Sequence, residues 1–543
     1  MTQHPRRRPA MRVMRRGIGM AAAGLGAWFA CGQPAQAQGV LPAVGPDLRI
    51  GDLRSQFQQG ILPPVGAAEW TFTPTLDVSE TFDTGVLLRN GSTGTDLITR
   101  ISPGFILTGS SARLNANIFY APTLNIYAKN GNLNGVGQNL NASATATLVQ
   151  DLLFVDLRGF AGQQSLTGGQ PQPGVIPLNQ QNEVQTLSFS AAPYLRHRFG
   201  GIGTLEIGYS ISRTVQSTNK PTLPPSPFAP TPISGNLTTH QEHASFTTGE
   251  DFGRIQNTLT LLATQYVGTG LLAGARNDSV NNQVSYALTR SIALTGSIGY
   301  ESIVYKDAAP GVNINEMTWS GGVLLTPNAD SSISISYGRQ QGTTSWLVNA
   351  SYAPTARTRI YATYSEGIGT NLQTAQSTAA GSVVNSSGVS INPITGAPIQ
   401  LVNNFFGTQA ALYRTTQFSL TGAVLYERDT IALTVQHDDN TLLSGGTPSI
   451  TGTANSGATG TITWTHNLSE ALTSNAFFQY GQRSAAGIAN SNQSTYSASL
   501  ILNYAFSPTL SGYTQVAHTG IGGNTFGQPA NREIVVVGLH KAF

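Results

Sequence analysis

Eight histidines are spread through the 543 residues, and the closest pair, His240 and His243, lies three positions apart. Side chains alternate faces along a strand, so on a strand these two point in opposite directions and cannot share a metal. A second cluster, His437-Asp438-Asp439-Asn440, opens a polar stretch where oxygen ligands could hold a divalent cation. A solvated loop rim is the expected reading. Serine is abundant, but no histidine sits in a local pattern that selects one serine as a nucleophile. No catalytic, cofactor or metal residue is therefore expected, and the chain is not read as an enzyme. What remains is a scatter of charged and tyrosine side chains in polar surroundings: Arg100, Asp156, Arg158, Tyr194, Arg196, Glu206, Glu301, Arg359 and Tyr361. Hydroxyl and amide groups exchange hydrogen bonds with sugar hydroxyls at little cost, and arginine planes and tyrosine faces stack on sugar rings. A water-filled lumen of any purpose is also polar, so these nine are read only as lumen-lining.

Those side chains act together only if something holds them around one space. After residue 37 no run of ~18 apolar residues occurs, which excludes transmembrane helices. Period-two alternation recurs instead. Ile292, Leu294, Ile298 and Tyr300 share one face against Ser291, Thr295 and Ser297. Leu205, Ile207, Tyr209 and Ile211 oppose Thr204, Glu206, Ser210 and Ser212, and Tyr496, Ala498, Leu500, Leu502, Tyr504 and Phe506 oppose Ser497, Ser499 and Asn503. Short connections such as Val149 to Asp151, Phe199 to Gly203, Pro354 to Arg357 and Phe506 to Pro508 alternate with long polar stretches at 165–181, 217–239, 369–409, 441–453 and 521–530. Short turns on one side and long loops on the other are the asymmetry of an outer-membrane β-barrel.

On this basis strands are expected to begin near Trp70, Asp96, Ala112, Gln138, Leu152, Asn182, Ile202, His240, Ile255, Asn277, Ser291, Ile314, Ser331, Thr343, Arg357, Ala410, Thr430, Ala454, Ala471, Ser491, Thr509 and Asn531. The fold class is all-β: a transmembrane antiparallel barrel of about 22 strands, within a range of roughly 18 to 24.

Composition agrees. Charged residues make up only 10% of the chain, against roughly 25% in ordinary globular proteins. Arg6-Arg7-Arg8, Arg12, Arg15 and Arg16, the apolar run from Ile18 to Ala30, and Ala35-Gln36-Ala37 read as a signal peptide cleaved at Ala37/Gln38. That leader carries six arginines and no acid, so the chain from Gln38 has 23 Lys+Arg against 26 Asp+Glu, a net charge of −3 rather than +3. Nothing in that balance calls for nucleic acid. The single cysteine, Cys31, goes with the leader, leaving no disulfide or thiolate metal site.

The last segment, Glu533-Ile-Val-Val-Val-Gly-Leu-His-Lys-Ala-Phe543, offers Val535, Val537, Leu539 and Phe543 to lipid on alternate positions. It resembles the terminal signature that outer-membrane proteins present to their assembly machinery, with Lys541 where an apolar or aromatic residue is usual. The first third carries a further resemblance. Trp70-Thr-Phe-Thr-Pro-Thr-Leu-Asp-Val-Ser-Glu-Thr-Phe82, Asp96-Leu-Ile-Thr-Arg-Ile-Ser-Pro-Gly104, Arg113-Leu-Asn-Ala-Asn-Ile-Phe-Tyr120 and Leu140-Asn-Ala-Ser-Ala-Thr-Ala-Thr-Leu-Val-Gln-Asp-Leu-Leu-Phe154 look like the opening strands of uncharacterised outer-membrane barrels. These are associated with the PEP-CTERM/exosortase system and related to the β-barrel porin type 2 group. Asp83-Thr84 replaces the acidic-asparagine pair usual there. The resemblance implies an outer-membrane location and a setting among exopolysaccharide export components, and it implies no catalytic residues.

The expected organisation is a signal peptide (1–37), a periplasmic extension (38–69) and the barrel (70–543), in the cell outer membrane. Only 32 residues separate the leader from Trp70, far fewer than the ~130 of a plug domain, so no plug is expected. The stretch Gly369 to Gln409, with Asn403-Asn-Phe-Phe406 near its end, is the candidate for a loop folded into the lumen or closing it. Two functions fit: a porin-like channel for exopolysaccharide export or passive solute passage, and a non-conducting scaffold or glycan-binding adhesion protein of an export system. Expected partners are membrane lipid, the assembly machinery through Phe543, and polysaccharide or its export proteins.

Overall fold

A computed structural model describes residues 69–86, 94–165, 183–218, 235–308, 311–384, 390–391, 411–444, 454–485, 492–523 and 531–543. The leader, its cleavage site, the extension before Glu69 and the Asn403–Phe406 run lie outside them, and the expectation of no plug rests on that extension.

Among the described residues, twenty-two strands form one antiparallel sheet that closes on itself. They are β1 (Glu69–Asp83), β2 (Asp96–Ser110), β3 (Leu114–Tyr120 with Thr123–Tyr127), β4 (Gly135–Gly137 with Leu140–Val149), β5 (Leu153–Ser165), β6 (Glu183–Phe199), β7 (Gly203–Thr218) and β8 (Gly235–Thr248). There follow β9 (Ile255–Gly268), β10 (Arg276–Ala287), β11 (Ile292–Tyr305), β12 (Val312–Leu325), β13 (Ser332–Gln340), β14 (Thr343–Thr355) and β15 (Thr358–Gly369). The ring ends with β16 (Leu412–Leu425), β17 (Asp429–Ser444), β18 (Asn455–Asn467), β19 (Leu472–Ala485), β20 (Gln493–Ser507), β21 (Leu510–Gly523) and β22 (Asn531–Ala542). β3 breaks at Ala121-Pro122, where proline has no N–H for the ladder, yet both pieces keep one register against β2.

The outward face is an apolar band. Leu157, Phe189, Ile207, Leu261, Leu294, Ile298, Leu433, Ile462, Leu500, Val537 and Leu539 are all exposed. Exposed aromatics gird both margins: Trp70, Phe72, Phe199, Tyr286, Trp464, Phe506 and Phe543 at the short-turn rim, and Phe82, Trp346, Tyr480 and Tyr496 toward the other. Such a surface is stable against hydrocarbon and not against water. Among the described residues no helix is long and apolar enough to cross a membrane; the strands do the crossing. Lys541 shares the outward face but sits at the band's edge, where an ammonium costs roughly 0–1 kcal/mol against 2–4 at the midplane. Its Nζ donates to Thr509 Oγ1 at 2.7 Å and lies 5.9 Å from the Phe543 ring.

Closure joins β1 to β22 from Thr75↔Ala542 to Asp83↔Ile534. Two inward contacts brace it. The Tyr513 ring crosses β22 over Gly538, where a Cβ would meet ring atoms at 2.4 Å, and its hydroxyl donates to Asp77 Oδ1 on β1 at 3.0 Å. At the long-loop rim, Arg532 donates from Nε and Nη2 to Asp83 Oδ1 and Oδ2 at 3.0 and 2.6 Å, both residues being buried. Gly85 donates its N–H to the same carboxylate at 2.8 Å.

Most expected strand starts fall within two residues of the observed ones. Two strands begin earlier: the one expected near His240 starts at Gly235 and the one near Gln138 at Gly135. The stretch Gly235-Asn-Leu-Thr-Thr239 reads as polar loop, but its backbone is fully paired with β7. His437–Asn440 likewise is not at a loop start. It lies inside β17, laddered to β16 and β18, so its side chains alternate faces and do not converge on a cation. Among the described residues the all-β expectation also misses a helix, α1 (Asn371–Gly381).

Removing one partner of a buried ion pair costs roughly 3–5 kcal/mol. Arg532→Ala should therefore lower the temperature at which the folded band converts to the unfolded band on a semi-native gel. Adding Asp83→Asn should restore part of the loss; an unchanged transition in Arg532→Ala would show that closure does not depend on the pair.

Candidate functional site

A ring of this many strands encloses a lumen too wide for wall side chains to fill. Here a chain segment enters it. From the end of β15, residues 370–384 run inward, and α1 lies against the inner ends of β5 to β8. An 11-residue helix spans about 16 Å at 1.5 Å per residue. Beyond it Val384 docks on the opposite wall: its N–H donates to Ser143 Oγ on β4, and its carbonyl accepts from Asn117 Nδ2 on β3, each at 2.9 Å. β15 and β4 stand on opposite sides of the ring, so the segment crosses the lumen.

The helix is built from local signals. Thr370 Oγ1 accepts from Gln373 N at 3.3 Å while Gln373 Oε1 accepts from Thr370 N at 3.0 Å, a reciprocal capping box. Leu372, Ala375, Gln376 and Ala379 recur at helical spacing and are buried. Leu372 joins an apolar cluster inside the long-loop rim, with Leu237 (β8), Leu271 and Leu272 (the β9–β10 connection), Ile303 and Tyr305 (β11), Ile368 (β15) and Leu412 (β16). Polar contacts add orientation. Gln376 Nε2 donates to Leu237 O at 3.4 Å, Thr239 Oγ1 donates to Gln376 Oε1, and Gln373 Nε2 donates to the Tyr305 hydroxyl at 3.1 Å.

Beside the helix, the β13–β14 hairpin turns on Gln341 and Gly342, with φ of 51° and 76°. Positive φ at both central residues is the type I′ geometry that two-residue hairpins favour. For Gln341 that conformation costs about 1 kcal/mol, offset by the contacts of the tip. Ile368 N–H donates to Gln341 Oε1 at 2.7 Å, so the glutamine replaces the ladder partner that β14 does not provide there. Gln341 N–H donates to Glu301, Gly342 N–H to Glu316 Oε1 at 2.7 Å, and Arg339 Nε to Glu316 Oε2 at 2.8 Å.

A second cluster lines the wall near the short-turn rim, on β5 to β8. Phe154 and Tyr194 are ladder partners whose rings stack at 5.3 Å and 18°. The Arg196 guanidinium lies over both, 5.2 Å from the Tyr194 centroid and 5.9 Å from that of Phe154. Glu206 fixes it, accepting from Arg196 Nε and Nη2 at 2.9 and 2.7 Å, while Glu206 Oε1 meets His243 Nε2 at 3.4 Å. Toward the other rim, Asp156 accepts from Thr145 Oγ1 at 2.6 Å and lies 3.8 Å from Arg158.

All nine residues expected to line the lumen stand on the face opposite the apolar band, and the fold brings five of them together: Asp156, Arg158, Tyr194, Arg196 and Glu206. Arg100 sits apart, near the closing strands and in the field of Asp83, Arg532, Tyr127 and Tyr513. Glu301 belongs to the hairpin tip, and Arg359, whose Nη2 lies 4.0 Å from Asp330, shares β15 with Tyr361. Sequence reasoning missed Phe154 and His243 as members of this wall. Phe154 was accessible to it, being two residues before Asp156 and hence on the same face. His240 and His243 do point oppositely: His240 Nδ1 meets the outward Tyr209 hydroxyl at 2.6 Å. Among the described residues no group of His, Cys, Asp or Glu could hold a metal ion.

No family model and no curated protein matches this sequence. Several solved structures are similar to it. The FrpB iron transporter of Neisseria meningitidis (F5-1 variant, apoprotein form) is 11% identical over 87% of this chain and 81% of its own, with a TM-score of 0.47. The siderophore receptor PirA of Acinetobacter baumannii gives 12%, 87%, 81% and 0.45. Pseudomonas aeruginosa OccK2 (OpdF), in complex with glucuronate, gives 8%, 87%, 98% and 0.34. At such identities the likeness says nothing about what this lumen carries.

The path of 370–384 has a direct chemical test. In folded protein, Val384→Cys with Ser143→Cys should be joined by a short bis-maleimide, whereas Val384→Cys with Thr434→Cys on β17 should not. Equal yields for both pairs would remove the crossing segment.

Proposed function

We propose that this protein is a porin-like outer-membrane channel for polar solutes, narrowed by its own 370–384 segment. The observation that carries this reading is the crossing itself: a helix and an extended piece, both largely uncharged, pinned at β15, at β5 to β8 and at Ser143 and Asn117. The inner wall supports the same reading. Half-buried inward positions such as Asn281, Gln283, Ser297, Ser320, Ser334, Ser336, Asn349 and Thr363 carry hydroxyl and amide groups, which exchange hydrogen bonds with a hydrated solute at little net cost. The short-turn rim faces the periplasm, by the asymmetry of such barrels. Export of a surface polysaccharide is the setting implied by the resemblance of the opening strands, and passive diffusion of small solutes uses the same path.

One observation favours a second reading, a non-conducting scaffold. The apolar cluster around Leu372 ties α1 to β8, β11, β15 and β16, and packing of that kind resists displacement. The two readings separate in a planar bilayer. A channel gives discrete conductance steps, and deleting 371–384 should raise the single-channel conductance at least twofold. Absence of steps in both the full chain and the deletion would end the channel reading and leave the scaffold.

A further inference from the structure

We infer that the wall cluster at the short-turn rim, built on Phe154, Asp156, Tyr194, Arg196, Glu206 and His243, is a binding subsite for an uncharged saccharide. The inference rests on the lumen being a solute path and goes further, in naming the chemical class of solute and the place where it is first held.

Three features of the cluster carry it. The first is a flat surface. Phe154 and Tyr194 stack at 5.3 Å with the Arg196 guanidinium over both rings, and the Arg196 side chain is 49% exposed. Aromatic rings and a guanidinium plane are surfaces on which the C–H face of a pyranose packs.

The second is rigidity. Glu206 takes two N–H groups of Arg196 and also meets His243. Gly208 leaves the space for that arrangement, since a Cβ there would meet the His243 ring at 2.2 Å and the Tyr194 Cβ at 2.9 Å. An arginine already held in place loses less rotamer entropy on binding.

The third is charge balance. Arg196 is paired with Glu206 at 2.7 Å, and Arg158 lies 3.8 Å from Asp156. Two cations against two anions leave no excess charge to attract an ionic ligand. An anion would have to displace a carboxylate to gain a guanidinium. Hydroxyl groups, which donate and accept, can use the remaining N–H groups and carboxylate lone pairs without breaking either pair. A sugar with vicinal hydroxyls above a flat face fits this set; phosphate or a simple carboxylate does not.

The position adds direction. Phe154 is the second residue of β5, and Arg196 and Glu206 flank the turn at 200–202, so the subsite lies at the periplasmic rim and the crossing segment lies beyond it. A chain arriving from the periplasm meets the subsite before the constriction.

The test is equilibrium titration calorimetry on the full chain in detergent, with maltohexaose as the neutral probe and inorganic phosphate as the ionic one. Maltohexaose should bind saturably. Arg196→Gln and Tyr194→Ala should each weaken it at least fivefold, with retention of the heat-modifiable folded band showing that the barrel has formed. Phosphate at equal concentration should not displace it. Binding unaffected by either substitution, displacement by phosphate, or no binding of maltohexaose would each overturn the inference. None of these outcomes bears on the bilayer conductance, so the channel reading stands or falls separately. If both substituted chains fail to fold, Phe154→Leu keeps an apolar side chain of similar volume and should still weaken binding by removing the ring stack.

Discussion

A sheet that ends inside a membrane leaves a row of N–H and C=O groups with neither water nor a partner, each costing several kcal/mol. Closure of β1 on β22 is therefore the constraint on which the rest of this molecule depends. Residues near the two ends of the strand series bear it. Asp77 and Asp83 on β1 meet Tyr513 and Arg532 across the join, with Phe477, Ala517, Ile534 and Val536 packed beside them. Once the ring is closed, its outward face is committed to lipid and its inward face to whatever occupies the lumen. The polar-aromatic wall and the crossing segment are both consequences of that division.

The lumen is organised in two levels. Near the long-loop rim, apolar side chains gather around Leu372 and hold a helix against the wall. Near the short-turn rim, charged and aromatic side chains balance one another and remain partly exposed. On the proposed channel reading, the first level restricts passage through shape, and the second offers a solute hydrogen bonds and flat surfaces.

Strand periodicity made the ring legible from sequence because each strand buries one kind of environment per face. Ile292-Ala-Leu-Thr and Tyr496-Ser-Ala-Ser-Leu500 state that division residue by residue. The reading failed where a segment has a different kind of neighbour. Gly235–Thr239 and His437–Asn440 are polar, and polar runs look like loops, but these lie near the long-loop rim, where outward positions need not be apolar. α1 was hidden by its composition: Asn, Gln, Thr, Ser and Ala give little apolar contrast between faces. Its capping box, Thr370-x-x-Gln373, and the following Ala-rich run were the available signals. The cluster around Leu372 was hidden by the assumption of a polar lumen, although Ile303 and Tyr305, apolar on alternate positions and buried, put apolar side chains on the inward face of that strand end. The grouping of Asp156, Arg158, Tyr194, Arg196 and Glu206 needed the register of β5, β6 and β7, which alternation alone does not fix.

The closing contacts also carry a consequence in time. Asp83 and Arg532 are 449 positions apart, whereas Thr145 and Asp156 are 11 apart. By the logarithmic law of loop closure the longer connection costs about 3 kcal/mol more chain entropy. Hairpins are thus free to form early, while the join between β1 and β22 gains its stabilisation only after every intervening hairpin exists. Until then β1 presents an unpaired ladder along its whole length, a template for any other strand in reach. The ion pair that stabilises the finished ring is therefore absent during the interval when the growing sheet is most exposed to mispairing.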